Sequence, residues 1–361
     1  MIERLRRFIR GDAVHHVVGF RGYGTRDRLY VLGRALEDEG ILAADESHSR
    51  WRNFGESLKR FDADPLPHAS VTATMGDVRA TFEADDEGFI HQWLALPAPL
   101  RTTGWHGVEL ALASDPPESA GIAHVLVPPD RPRFGVISDI DDTVLQSRVA
   151  TPLHAARLMF FENSRTRLPF PGVAAFYRAL VDGPTGTDGN PIFYISSSPW
   201  NVHDVLADFL DAQGIPLGPL LLRDWDLSRS LVKHSGHKGE RIREVFDAYP
   251  HMSFILVGDT SQEDPEIYAE AVREHPGRVL AIYIRDVAAT DVRRQAIATL
   301  ASAVEPEGIS LILAPETLTI ARHAAASGWI DAAHLAAVGE EKREDDGTIP
   351  GKEEPPPAVG V

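Results

Sequence analysis

Cysteine is missing from this 361-residue chain. That excludes disulfides, thiolate nucleophiles and thiolate zinc sites, and it agrees with a reducing cytoplasm. Long apolar runs are missing as well: no stretch reaches the roughly 18 consecutive apolar residues of a membrane-spanning helix. The opening MIERLRRFIRG has neither the apolar centre nor the small-residue cleavage site of a signal peptide. Cations are scarce, with 36 Lys and Arg against 53 Asp and Glu and a formal charge of −17. Such a total repels a phosphate backbone, so no nucleic-acid partner is expected. An anionic substrate then needs cations gathered locally, or a metal.

What is present is ordinary for a folded protein, with 43% hydrophobic and 25% charged residues and length for two domains. Residues 1–12 place Ile2, Leu5, Phe8 and Ile9 on one helical face, with Arg4, Arg6, Arg7 and Arg10 at its edges or opposite. This pattern suits peripheral contact with an anionic membrane surface; it equally suits a helix packed on its own domain or a frayed end. Residues 13–130 carry short alternating runs broken at Gly76-Asp77 and Asp85–Gly88, the pattern of a small β-sandwich. A helical spacing of Trp51, Phe54, Leu58 and Phe61 interrupts them. The glycines Gly19, Gly22 and Gly24 invite a phosphate-loop reading, but no long helical pattern follows, and strand-connecting glycines are the better expectation.

Past the linker VPPDRPR the pattern changes. Over 131–337, strand-like RFGVIS, PIFYIS, GPLLLR, MSFILVG, RVLAIYI and GISLILA alternate with helical periodicity such as NVHDVLADFLDAQG and KGERIREVFDAYP. Strand–helix alternation predicts a Rossmann-like parallel sheet with functional groups at the carboxyl ends of its strands. The final stretch, 338–361, is acidic and then Pro-rich and is expected to be disordered.

The polar residues at those strand ends form a set. Asp139 and Asp141 follow the first strand, Ser196 and Ser197 the second, and Gly258 and Asp259 the fourth, with Asp264 five residues on; Lys238 opens a helix. A carboxylate attacking a dianionic phosphate needs Mg²⁺ to bring the two together. Asp139 is then both nucleophile and metal ligand, with Asp259 a second hard oxygen ligand. Lys238 supplies a point charge, and Ser196, Ser197 and nearby N–H groups bind phosphate oxygens. Asp141 is placed to protonate the leaving oxygen and later to activate water. Asp264 either binds the metal, directly or through water, or caps the following helix. Arg285 either holds an anionic group or pairs with Asp286 or another acid.

The set resembles the haloacid dehalogenase-like phosphatase superfamily: D-x-D-x-T at Asp139, Asp141 and Thr143, a strand ending at Ser196, Lys238, and the acidic pair Asp259 and Asp264, in that order. DIDDT, YISSSPWN, SGHK, GDTSQEDPEIY and IYIRDV further resemble the actin-patch phosphatidate phosphatases, with lipins as distant relatives. The resemblance implies Mg²⁺-dependent hydrolysis of phosphatidate to diacylglycerol, a metal contact from the Asp141 backbone carbonyl and loop support from Thr143. Fewer than fifty residues separate Thr143 from Pro191, enough for a small cap only, so a phosphorylated lipid can be reached in its bilayer. Leu158, Met159, Phe160 and Phe161 suit either an apolar rim or the domain interior.

Competing readings are weaker. Counted from Asp139, a calcium loop meets Val144 and Ala150 where it wants Gly and Glu. His234 and His237 lack a zinc pattern, and the serines of SSSPW lack a G-x-S-x-G elbow. Lys233 competes with Lys238 but opens a poorer helix. A phosphatase of soluble phosphomonoesters shares every catalytic residue, and a non-catalytic lipid-binding module requires the acids to be idle.

Overall fold

The computed structural model describes residues 14–38, 64–113, 120–140, 171–223, 236–287 and 289–348. The segment 1–12, the helical pattern around Trp51, Asp141, Asp142, Thr143, the run Leu158–Phe161, Lys233 and His234 lie outside them. The chain divides into two compact units. One holds the residues up to Arg131 together with 199–209 and 218–225; the other holds the rest.

The first unit is built on eight strands: β1 (Val14–Gly19), β2 (Arg21–Gly24), β3 (Arg28–Asp38), β4 (Ser70–Met75), β5 (Val78–Glu83), β6 (Phe89–Ala95), β7 (Gly104–Leu112) and β8 (Gly121–Val127). They join in a single hydrogen-bonded sheet of order β1-β3-β2-β8-β7-β4-β5, with β6 on β3. The strand β2 ties this sheet together, pairing antiparallel with β3 and parallel with β8. Glycine makes the bridge fit: a Cβ on Gly22 would lie 2.1 Å from the Tyr30 carbonyl oxygen, and one on Gly19 2.3 Å from that of Ile122. These glycines are strand residues, as their sequence context indicates. Inside, Val31, Ala35, Val71, Ala73, Val108, Val125 and their neighbours form the core. Phe20, Phe89 and His91 pack with Trp200 and His203, which is why a segment from the second half of the chain clusters with this unit.

The remaining elements are β9 (Gly135–Asp139), α1 (Val173–Asp182), β10 (Ile192–Pro199), a 3-10 turn (Trp200–Val202), α2 (His203–Ala212), β11 (Leu220–Arg223), α3 (Gly236–Ala248), β12 (Phe254–Asp259), α4 (Asp264–Glu274), β13 (Val279–Arg285), α5 (Asp291–Val304), β14 (Ser310–Ala314), α6 (Thr317–Ala326) and α7 (His334–Thr348). Their sheet has the order β11-β10-β9-β12-β13-β14. The pairs β10/β9, β9/β12, β12/β13 and β13/β14 are parallel. Continuous apolar runs such as Phe254–Val257 are buried, as strands covered on both faces require. Chain order reverses between β9 and β12, the position at which open α/β sheets bind ligands beyond their strand ends.

The region from 338, expected to be disordered, is helical as far as Thr348. Its acids find partners that composition does not reveal. Glu341 and Asp345 accept the Ala175 and Gly172 N–H groups at the start of α1, Glu341 also pairs with Arg178, and Val338 is fully buried.

Candidate active site

The buried strand β9 delivers Asp139 at its carboxyl end, with the side chain only 2% exposed. Lys238, buried on the first turn of α3, places Nζ 2.8 Å from Asp139 Oδ1 and 2.8 Å from Asp264 Oδ1. One lysine therefore ties the end of β9 to the start of α4. The other oxygen of Asp264 accepts the Asp259 backbone N–H at 3.2 Å. That contact depends on Gly258, where a Cβ would fall 2.4 Å from Asp264 Oδ2. Asp264 opens α4 without capping it, since Glu263 holds the cap position.

Asp259, at the end of β12, accepts both the backbone N–H and the hydroxyl of Ser261 at Oδ1. Burial raises its pKa above the ordinary carboxylate value; the Ser261 hydroxyl opposes the rise, and the neighbouring charge of Asp264 adds to it. Three buried carboxylates, Asp139, Asp259 and Asp264, thus face one buried ammonium, Lys238. Charge of that sign, taken out of water, calls for a further cation.

A recess of about 30 Å³ opens at these strand ends. It is lined by Asp139, Ile140, Gly258 and Asp259 from the strand ends, by Val173, Phe176 and Tyr177 of α1, and by Arg285, Thr317 and Ile320. Asp264, read from the sequence as a metal ligand, is not among its lining residues; both its oxygens are engaged by Lys238 and the Asp259 amide. Arg285 is half-buried and donates to Thr317 Oγ1 at 3.0 Å, while Asp286 accepts from Arg294. Ser196 is fully buried, its hydroxyl accepting the Ser198 N–H, and Ser197 is half-buried. His237 lies on α3, and Asp141 and Thr143 fall outside the described residues.

Among the described residues, no group of three or more His, Asp or Glu is arranged to hold a metal. What they offer is a pair of hard oxygen donors, Asp139 and Asp259, on adjacent strands and on one recess. That set fits Mg²⁺, which typically takes one or two carboxylates and completes its shell with water and substrate phosphate. It does not fit zinc, which wants nitrogen or sulfur donors.

Two residues here escaped the sequence reading. Ser138 is buried and bonds to Tyr177 Oη at 2.6 Å and to the Asp139 carbonyl at 3.0 Å. Thr317 holds Arg285. The signal for Ser138 was a polar residue closing an apolar strand; Tyr177 shows in sequence only as one more core position of a helix.

Against known proteins, the family described as "Phosphatidate phosphatase APP1, catalytic domain" matches residues 134–286. The similarity to that family lies in this segment. Phosphatidate phosphatase APP1 of Saccharomyces cerevisiae is 30% identical over 155 residues, 42% of this chain and 26% of that protein. An uncharacterized protein of Schizosaccharomyces pombe is 28% identical over 162 residues, 44% of this chain and 26% of that one. The chain thus spans about a quarter of the length of these two relatives. Among solved structures, a carbohydrate acetylesterase from Xanthomonas citri aligns with 78% of this chain and 72% of its own at 13% identity and a TM-score of 0.27. Asp139, Lys238, Asp259, Asp264 and Arg285 all fall inside the APP1 segment.

Proposed function

We propose that the protein is a Mg²⁺-dependent phosphatidate phosphatase whose parallel-sheet unit is a haloacid dehalogenase-like Rossmann domain with a small cap. The single observation that carries this reading is Lys238 clamped between Asp139 and Asp264 at the end of β9, with Asp259 beside them and the whole group inside the matched segment. A bound Mg²⁺, held by Asp139 and Asp259 with the Asp141 carbonyl, would neutralise charge between phosphate and nucleophile.

The residues divide the rest of the work. An Asp139 oxygen forms a bond to phosphorus while the ester P–O bond breaks, and Asp141 gives its proton to the departing diacylglycerol oxygen. Asp141, now a carboxylate, takes a proton from water as that water attacks the aspartyl phosphate; the Asp139–phosphorus bond breaks, and phosphate leaves. Lys238 holds the Asp139 carboxylate in place and offers its charge to the phosphoryl oxygens, with Ser196, Ser197 and Thr143 as further donors. Asp264 acts from behind, orienting Lys238 and the backbone at Asp259. Arg285, held by Thr317, faces the remainder of the substrate. The membrane is reached peripherally, through a site with little cover.

Phosphate release from phosphatidate vesicles, lysophosphatidate and soluble phosphomonoesters, each with Mg²⁺ and with chelator, tests the reading. Phosphatidate turnover that needs Mg²⁺ and falls at least about a thousandfold in Asp139→Asn is expected. Turnover confined to the soluble esters moves the assignment to a phosphatase of soluble substrates. Undiminished release by Asp139→Asn removes the mechanism.

A further inference from the structure

Ser138 and Tyr177 have no part in the mechanism above, yet they form a buried hydroxyl chain against its nucleophile. Ser138 Oγ donates to the Asp139 carbonyl oxygen at 3.0 Å and lies 2.6 Å from Tyr177 Oη. Serine has one hydroxyl proton. With that proton directed to the Asp139 carbonyl, Tyr177 is left as the donor to Ser138, and the chain runs one way, from Tyr177 O–H to Ser138 O–H to the Asp139 carbonyl. Ser138 is fully buried, and Tyr177 is buried with its ring against the recess.

The place matters. The ladder with β12 ends at Ser138 opposite Val257, the ladder with β10 ends at Asp139 opposite Ile195, and Ile140 has already left the sheet. The peptide plane after Asp139 thus lies at the last paired position of the strand, and the Ser138 hydroxyl bonds its carbonyl. A residue with both flanking peptide planes fixed has a fixed Cα–Cβ direction. Small errors in that direction are costly, because attack on phosphorus requires a near in-line approach.

We infer that Ser138 and Tyr177 are positioning residues that aim the Asp139 carboxylate, acting in series as one unit. The inference rests on Asp139 being the nucleophile of the proposed phosphatase. Ser138→Ala cuts the chain, and Tyr177→Phe removes the hydroxyl while keeping the ring in the recess wall. Each is expected to lower kcat by about three- to thirtyfold with KM nearly unchanged, and the double variant to fall no further than the worse single one. Thermal melts followed by circular dichroism accompany every variant, so a loss of fold is read separately from a loss of rate. Lower melting temperatures with unchanged kcat, or losses in the two singles that multiply in the double, overturn the inference.

Beryllofluoride with Mg²⁺, followed by fluorine NMR, probes the same carboxylate without turnover. Binding to the wild type that weakens by a similar factor in both variants supports the chain; equal binding in all three overturns it. If the wild type binds beryllofluoride but hydrolyses none of the esters, the substrate assignment fails and the aiming role is judged on binding alone. If it does neither, Asp139 is no nucleophile and the inference falls with it.

Discussion

At the scale of single residues the site is a place of unfavourable burial. Asp259 ionises against its surroundings: its folded pKa lies above the unfolded one, so stability is fully present below the unfolded pKa of about 3.8 and is lost as pH rises through the folded value. At neutral pH, without metal, the charge therefore destabilises the fold. Asp259→Asn keeps an acceptor for Ser261 and removes the charge. It is expected to melt about 2–4 °C higher than the wild type in chelator, to lose the proposed phosphatase activity, and to lack the Mg²⁺-induced rise in melting temperature that the proposal expects of the wild type; scanning calorimetry with and without metal, beside a phosphate-release assay, checks all three. The position of Asp139 and Asp259 at strand ends was readable in sequence because each closes an apolar run. That Asp264 has both oxygens engaged, by Lys238 and by the Asp259 amide, was not, since the contact depends on how closely α4 approaches Gly258.

Among elements, α1 deserves notice because it walls the recess yet has no cap of its own. Its cap position is Gly172, left-handed at φ 77, and no side chain there accepts a hydrogen bond. The open amides are met from far along the chain by Glu341 and Asp345 of α7, charges well placed at a helix N-terminus. Glu341→Ala is expected to cost about 1 kcal/mol in urea unfolding, as loss of a helix cap does. Glu341→Gln should recover part of that, by keeping the acceptor without the charge. The strands and most helices could be read from periodicity, which reports the buried face. The order of 338–348 could not, because an acidic stretch gives no sign of which distant amides it will satisfy. The single bridged sheet of the first unit was hidden for a similar reason: pairing of β2 with β8 is a long-range event that local alternation does not encode.

For the molecule as a whole, acidity has a second face besides the net charge of −17. His203 is buried among Phe20 and Trp200, and burial lowers its pKa, with the Asp204 carboxylate opposing and Arg21 adding to the fall. The contribution to stability is complete above the unfolded pKa of about 6.5 and is lost as pH falls toward the folded value. Melting temperature is therefore expected to drop on acidification from about pH 7.5 to 5.5, and His203→Gln to flatten that slope. The recess itself is assembled from remote parts of the chain. Asp139 waits for Lys238, Asp259 and Asp264, which lie about a hundred or more positions later, and β12 must slot between β9 and β13 before Asp139 and Asp259 meet. During synthesis Asp139 accordingly emerges long before its neighbours. On refolding, activity should be the last property to return, trailing the backbone signal by the time β12 needs to find its place.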